Sequence, residues 1–214
     1  MFDLYCIIKN INKIKQGLKM LKIGLTGNIA AGKTEVKKIF DKLKIKNLCA
    51  DELSHFLLEK DEKIIENIKK KFKNFDITTN DKIDRKKLGK IIFSDINKKN
   101  ELEEIIHPQI IKKILYFFEE NKNEKYVVID IPLLFEGNFE YLFDKIILVC
   151  ASDDVRIERI KKRNGFDEDH IKKIMKSQLN QEYKKTKSNY IIENDNKSLE
   201  ELEKEIKNLI KKIK

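Results

Sequence analysis

The stretch from Lys22 to Val36, KIGLTGNIAAGKTEV, constrains this chain more than any other part of it. It begins apolar and extended, passes through small residues and continues in a charged, helix-like pattern. Gly27-Asn28-Ile29-Ala30-Ala31-Gly32-Lys33-Thr34 fits the spacing Gly, four residues, Gly-Lys, then Ser or Thr, after a predicted strand and opening a predicted helix. Gly27 and Gly32 let the backbone curl so that successive N–H groups point inward, and the helix beginning at Lys33 adds the positive end of its dipole. The motif therefore predicts a phosphate-binding loop running from Gly27 to Thr34. Lys33 would reach the β- and γ-phosphates, and the Thr34 hydroxyl would bind Mg²⁺.

Around this loop the pattern alternates. Strands are expected at 21–26, 45–50, 125–131 and 144–151, with a last short one in NYIIE, and a helix is expected at 32–43. Short β-branched runs alternating with helices indicate an α/β fold with a parallel five-stranded sheet covered on both faces. The block at 52–123 reads as mostly helical, with starts at Asp84 and at Ser94 or Asp95, and with His107-Pro108 opening its last helix. It reads as an insertion within one domain. A second charged helical stretch at 153–187 is broken at RNGF, and an amphipathic helix follows from Ser198. Residues 1–19 repeat Ile and Leu at helical spacing without a cleavage site and read as an appendage of doubtful nativity, with the domain proper at 20–214.

Composition excludes several classes. With 38% charged and 41% hydrophobic residues, the chain is predicted to be globular, not disordered. Its net charge of +10 suits anionic partners, but Asp and Glu are interspersed with the Lys, and no basic strand interleaved with aromatics indicates nucleic-acid binding. No run approaches the roughly 18 apolar residues of a membrane span. Cys6, Cys49 and Cys150 form no paired motif and are expected as reduced thiols in a cytoplasmic protein. The widely spaced His55, His107 and His170 make no zinc ligand set.

A phosphate-binding loop serves GTPases, ATP-driven machines and small-molecule kinases alike. The GTPase reading fails, because the third strand continues as Asp130-Ile131-Pro132-Leu133, without Asp-x-x-Gly, and NKNE at 121–124 has Glu where an Asn-Lys-x-Asp motif needs Asp. A kinase needs a carboxylate near the acceptor hydroxyl and arginines over the transferring phosphate. Asp51 ends the second strand, expected beside the loop-bearing strand, where it would take the acceptor proton or cap a helix starting at Glu52. Asp130 would hold Mg²⁺ through water, position a loop group, or cap a turn. Arg156, Arg159 and Arg163, three of only four arginines in the chain, fall on one face of a predicted helix. They read as phosphate ligands or as a solvated face.

Taken together, these segments resemble the dephospho-coenzyme A kinase family. IGLTGNIAAGKTEV is similar to its phosphate loop, CADEL to the Asp-Ala-Asp ending its second strand, and IDRKKLGKIIFSD to its Asp-Arg-x-x-Leu with a following Phe. IIHPQI resembles its Leu-His-Pro, VIDIPLLFE its Pro-Leu-Leu-x-Glu, and RIERIKKRNGFDEDHIKKIMKSQ its lid, with two arginines and a later glutamine. The resemblance covers about 22–196 and implies a P-loop kinase fold that takes ATP and Mg²⁺ and phosphorylates the ribose 3′-hydroxyl of dephospho-CoA. The protein is expected to be a monomer or to self-associate weakly. It implies Asp51 as the catalytic carboxylate, Arg159 and Arg163 as lid arginines, Asn194 near the adenine, and Arg85, His107 and Leu133–Glu136 around the acceptor. The chain departs from the family pattern at Asn28 (for Gly), at Cys49 (for Asp), at Arg156 (where Gln is common) and after Asn194, where Gly is missing. Asn at 28 is expected to tolerate the unusual backbone angles of the loop. The runner-up is a nucleoside monophosphate kinase, and the rival from another class is a nonenzymatic P-loop module that binds RNA.

Overall fold

The computed structural model describes residues 20–213, so the expectation for residues 1–19 lies outside the described residues, as does Cys6. The chain forms two compact units, one running up to Leu48 and again from Phe118, the other spanning Cys49–Phe117.

The first unit is built on a five-stranded sheet. Its strands are β1 (Leu21–Gly27), β2 (Asn47–Cys49), β5 (Tyr126–Asp130), β6 (Lys145–Cys150) and β7 (Tyr190–Glu193), in the order β2-β5-β1-β6-β7. β1 pairs in parallel with β5 and β6, and β6 pairs in parallel with β7. Ile23, Leu25, Val128, Ile147 and Val149 from the strands meet Val36, Ile39 and Phe40 of α1 (Lys33–Lys42) in one core. Leu202 and Ile206 of the last helix, α9 (Leu199–Lys212), join them. Each such burial stabilises the fold by about 1.5–3 kcal/mol. α9 starts where the sequence places it, with Ser198 and Glu201 forming a reciprocal capping box.

One feature of this sheet departs from expectation. The second strand is not beside β1: β5 lies between them, and β2 is a three-residue edge strand. Strand order is a long-range property that local patterns do not carry. The carboxylate that the sheet delivers beside the loop-bearing strand is therefore Asp130, in register with Leu25.

The 153–187 segment, which the resemblance implies as a lid, consists of α6 (Asp153–Asn164), α7 (Glu168–Lys176) and α8 (Gln181–Lys187). The break at RNGF is a C-cap, with Gly165 in the left-handed region at φ 67°.

The second unit holds α2 (Ala50–Lys60), α3 (Glu62–Lys71), α4 (Arg85–Ser94) and most of α5 (Ile96–Glu120). Asp84 caps α4 through the N–H groups of Lys86 and Lys87, and Asp95 accepts from the N–H groups of Asn97 and Lys98 at the start of α5, as their sequence positions suggest. Two expectations fail here. Pro108 does not open a helix but lies inside the 25-residue α5. Proline costs a helix one ladder bond, and a long segment with its own Asp95 start absorbs that loss. The nominally helical block also contains a hairpin, β3 (Thr78–Thr79) with β4 (Lys82–Ile83), turned by Asn80 and Asp81 at φ 50° and 61°.

Candidate active site

β1 ends at Gly27, where a side chain would meet the Val149 carbonyl oxygen at 2.6 Å, so the strand can leave the sheet there only through glycine. The loop closes on itself with the Ala31 N–H donating to the Asn28 carbonyl, and Gly32 takes φ 93° as the N-cap of α1. Among the described residues, the N–H groups of Ala30, Gly32, Lys33 and Thr34 have no acceptor. Four free donors at a helix N-terminus form a cradle that fits phosphate oxygens. The tolerance of Asn28 for unusual backbone angles is not called on: it is Ala30 that has a positive φ, 60°.

Lys33 Nζ lies 2.5 Å from Asp130 Oδ1, and the Asp130 side chain is 4% exposed. Of the roles open to Asp130 in the sequence, holding a loop group is therefore one it fills here. Removing one partner of so buried a pair costs about 3–5 kcal/mol. Thr34 is exposed at the first turn of α1.

The arginines of α6 divide. Arg156, 3% exposed, donates from Nε to the Ile29 carbonyl and from Nη1 to Asp153. Burial pulls its pKa below the usual guanidinium value, and Asp153 opposes that shift. Arg159 donates from Nη1 to the Ala30 carbonyl and from Nη2 to the Asn194 carbonyl, leaving three of its N–H groups uncommitted. Arg163 is exposed and donates to Asn164 Oδ1. Asn194 braces the loop from behind, donating its Nδ2 to the Ala31 carbonyl and occupying the space a side chain at Gly32 would need.

Leu133 is 40% exposed. Glu136 is tied to the lid segment, where its Oε1 accepts from the Leu179 N–H and pairs with Lys184 Nζ at 2.8 Å. Sequence reasoning missed Lys184, Arg156's grip on Ile29 and the role of Gln178, whose Oε1 accepts from the Ile29 N–H. One lysine among many carries no local signal of burial. Cys150 is buried, and burial pushes its thiol up to about 11, so it packs as a neutral side chain.

In the second unit, Asp51 is exposed in the first turn of α2. It is not the cap: Cys49 holds that position, with no side-chain bond to the helix N–H groups, because the helix starts at Ala50, earlier than the sequence suggests. Arg85, exposed, has its Nη2 within hydrogen-bond reach of His55 Nε2. His107 is partly buried, and burial holds its pKa below the ordinary histidine value.

A curled loop at a helix N-terminus that leaves its amides free, a sheet that sets a carboxylate against the loop lysine, and no switch motif after β5 together make this a P-loop kinase fold. Comparison with known proteins narrows the class. The family model described as Dephospho-CoA kinase matches residues 21–200. A dephospho-CoA kinase of Oceanobacillus iheyensis is 35% identical over 194 residues, covering 90% of this chain and 97% of that one. A crystal structure from Thermus thermophilus superposes with a TM-score of 0.77 at 26% identity, covering 91% of this chain and 98% of the other. A dephospho-CoA kinase from Campylobacter jejuni superposes with a TM-score of 0.67 at 31% identity, covering 90% and 96%. The chain belongs to the dephospho-CoA kinase family.

Proposed function

We propose that this protein transfers the γ-phosphoryl group of ATP to the ribose 3′-hydroxyl of dephospho-CoA, giving coenzyme A and ADP, the last step of coenzyme A synthesis. Family membership across nearly the whole domain carries this reading, since the loop alone leaves the acceptor open. The bond from the γ-phosphorus to the bridging oxygen breaks, a bond from O3′ to phosphorus forms, and the hydroxyl proton passes to Asp51. The free N–H groups of Ala30, Gly32, Lys33 and Thr34 and the Lys33 ammonium hold the phosphates, as their geometry allows. Thr34 and Asp130 would hold Mg²⁺, a hard cation that takes oxygen ligands and neutralises charge on the β- and γ-phosphates. Arg159 and Arg163 stabilise charge on the transferring group, and Asn194 lies by the adenine. Arg85, His107 and Leu133 serve the acceptor. Burial of His107 lowers its pKa and so favours the neutral imidazole, while the nearby Glu103 opposes that shift. The enzyme acts in the cytoplasm, as a monomer or with weak self-association. Among the described residues no helix is long and apolar enough to cross a membrane.

The acceptor is tested by following ADP release with Mg-ATP against dephospho-CoA, AMP, UMP and shikimate in parallel. A strong preference for dephospho-CoA is expected. Equal rates with AMP would remove the acceptor assignment in favour of a nucleoside monophosphate kinase.

A further inference from the structure

The phosphate loop of this chain has few glycines, and Ala30 takes a left-handed backbone angle that glycine would adopt freely. Backbone held in such a conformation persists only where its surroundings fix it. Arg156, Arg159 and Asn194 hold the carbonyls of residues 29–31. A different group of residues holds the start of the loop. The Ile29 N–H donates to Gln178 Oε1 at 2.8 Å, and Asn28 Nδ2 donates to the Leu179 carbonyl at 3.0 Å.

The segment that provides these two contacts is itself anchored by polar groups. The Leu179 N–H donates to Glu136 Oε1 at 3.0 Å, and the same carboxylate pairs with Lys184, whose side chain is fully buried. Gln181 Nε2 donates to the Ala151 carbonyl. The Leu179 side chain is 38% exposed, and the segment borders an open cleft of about 620 Å³. The Glu136 carboxylate thus links the buried Lys184 to the backbone of Leu179, whose carbonyl accepts from Asn28. All these residues belong to the loop-bearing unit.

We propose that Gln178, Glu136 and Lys184 are positioning residues for the nucleotide. They form a clasp that fixes Asn28 and Ile29, so that the N–H groups of Ala30, Gly32, Lys33 and Thr34 stay free for phosphate. The proposal rests on the reading of this loop as the ATP site. It assigns Glu136 to the nucleotide side of the reaction, in place of the acceptor side implied by the family resemblance. Gln178 suits the task because its amide oxygen accepts from a loop N–H without bringing a negative charge to the phosphates.

The test is calorimetric binding of Mg-ADP to the full chain, with steady-state KM values for both substrates, in the parent and in Gln178→Met, Glu136→Gln and Glu136→Leu. Gln178→Met is expected to weaken Mg-ADP binding about tenfold, the scale of one well-placed hydrogen bond, with the KM for dephospho-CoA within about twofold of the parent. Glu136→Gln keeps an acceptor for the Leu179 N–H and is expected to fall between the parent and Glu136→Leu. If Glu136→Leu fails to fold, Gln178→Met decides the matter. Unchanged Mg-ADP affinity in both Gln178→Met and Glu136→Gln would overturn the clasp. A raised KM for dephospho-CoA at unchanged Mg-ADP affinity would return Glu136 to the acceptor. A parent protein that does not bind Mg-ADP would instead remove the nucleotide reading beneath the proposal.

Discussion

Asp51→Asn is expected to lower kcat by roughly 10²–10⁴, the usual range for loss of a general base, while ATP still binds through the intact loop. The structure makes this substitution cleaner than the sequence does. A carboxylate at the start of a helix often serves as the cap, and its loss would then confuse stability with chemistry. Here Cys49 is at the cap position and Asp51 has no capping bond, so the amide has nothing structural to replace. Asp51→Ala should therefore be almost as stable as the parent, losing only the favourable interaction of a carboxylate with the helix N-terminus, about 0.3–1 kcal/mol. Both variants should melt close to the parent and both should be nearly inactive. Turnover of Asp51→Asn near the parent rate would rule Asp51 out as the base.

Arg163→Ala is expected to lower kcat by about 10³-fold, on the scale of arginine fingers, with a much smaller change in the KM for dephospho-CoA. Arg163 is the arginine of α6 that spends no donor on the phosphate loop, and among the described residues its side chain donates one hydrogen bond, to the adjacent Asn164. A side chain so lightly held would be free to turn to the phosphates if, as the family resemblance implies, the segment closes over them. Arg159→Ala should lose activity as well, but with a lower melting temperature, because Arg159 also holds the Ala30 and Asn194 carbonyls. A fall of less than about threefold for Arg163→Ala would return that residue to the solvated helix face.

These expectations show which features a sequence can and cannot display. The phosphate loop is legible because strand, glycine spacing and helix start are local, and Asp84, Asp95 and Ser198 announce their helices for the same reason. The β3–β4 hairpin is not legible, since two-residue strands give no alternation to read. Pro108 misleads because a proline is usually a boundary and here is carried within a long helix. The position of β2 at the sheet edge, and the meeting of Lys33 with Asp130, come from strand order. The loop's unusual angle falls on Ala30, although Asn28 is the residue type that tolerates it better. The charge that faces the buried Lys184 is on Glu136, 48 residues earlier in the chain.

The most direct test of the central claim follows the phosphorus atom itself. Incubation with ATP labelled at the γ-phosphate, Mg²⁺ and dephospho-CoA should place the label in a product that co-migrates with coenzyme A, and a nucleotidase specific for 3′-phosphates should release it. Label released as inorganic phosphate, or carried on any position other than the ribose 3′-oxygen, would contradict the account.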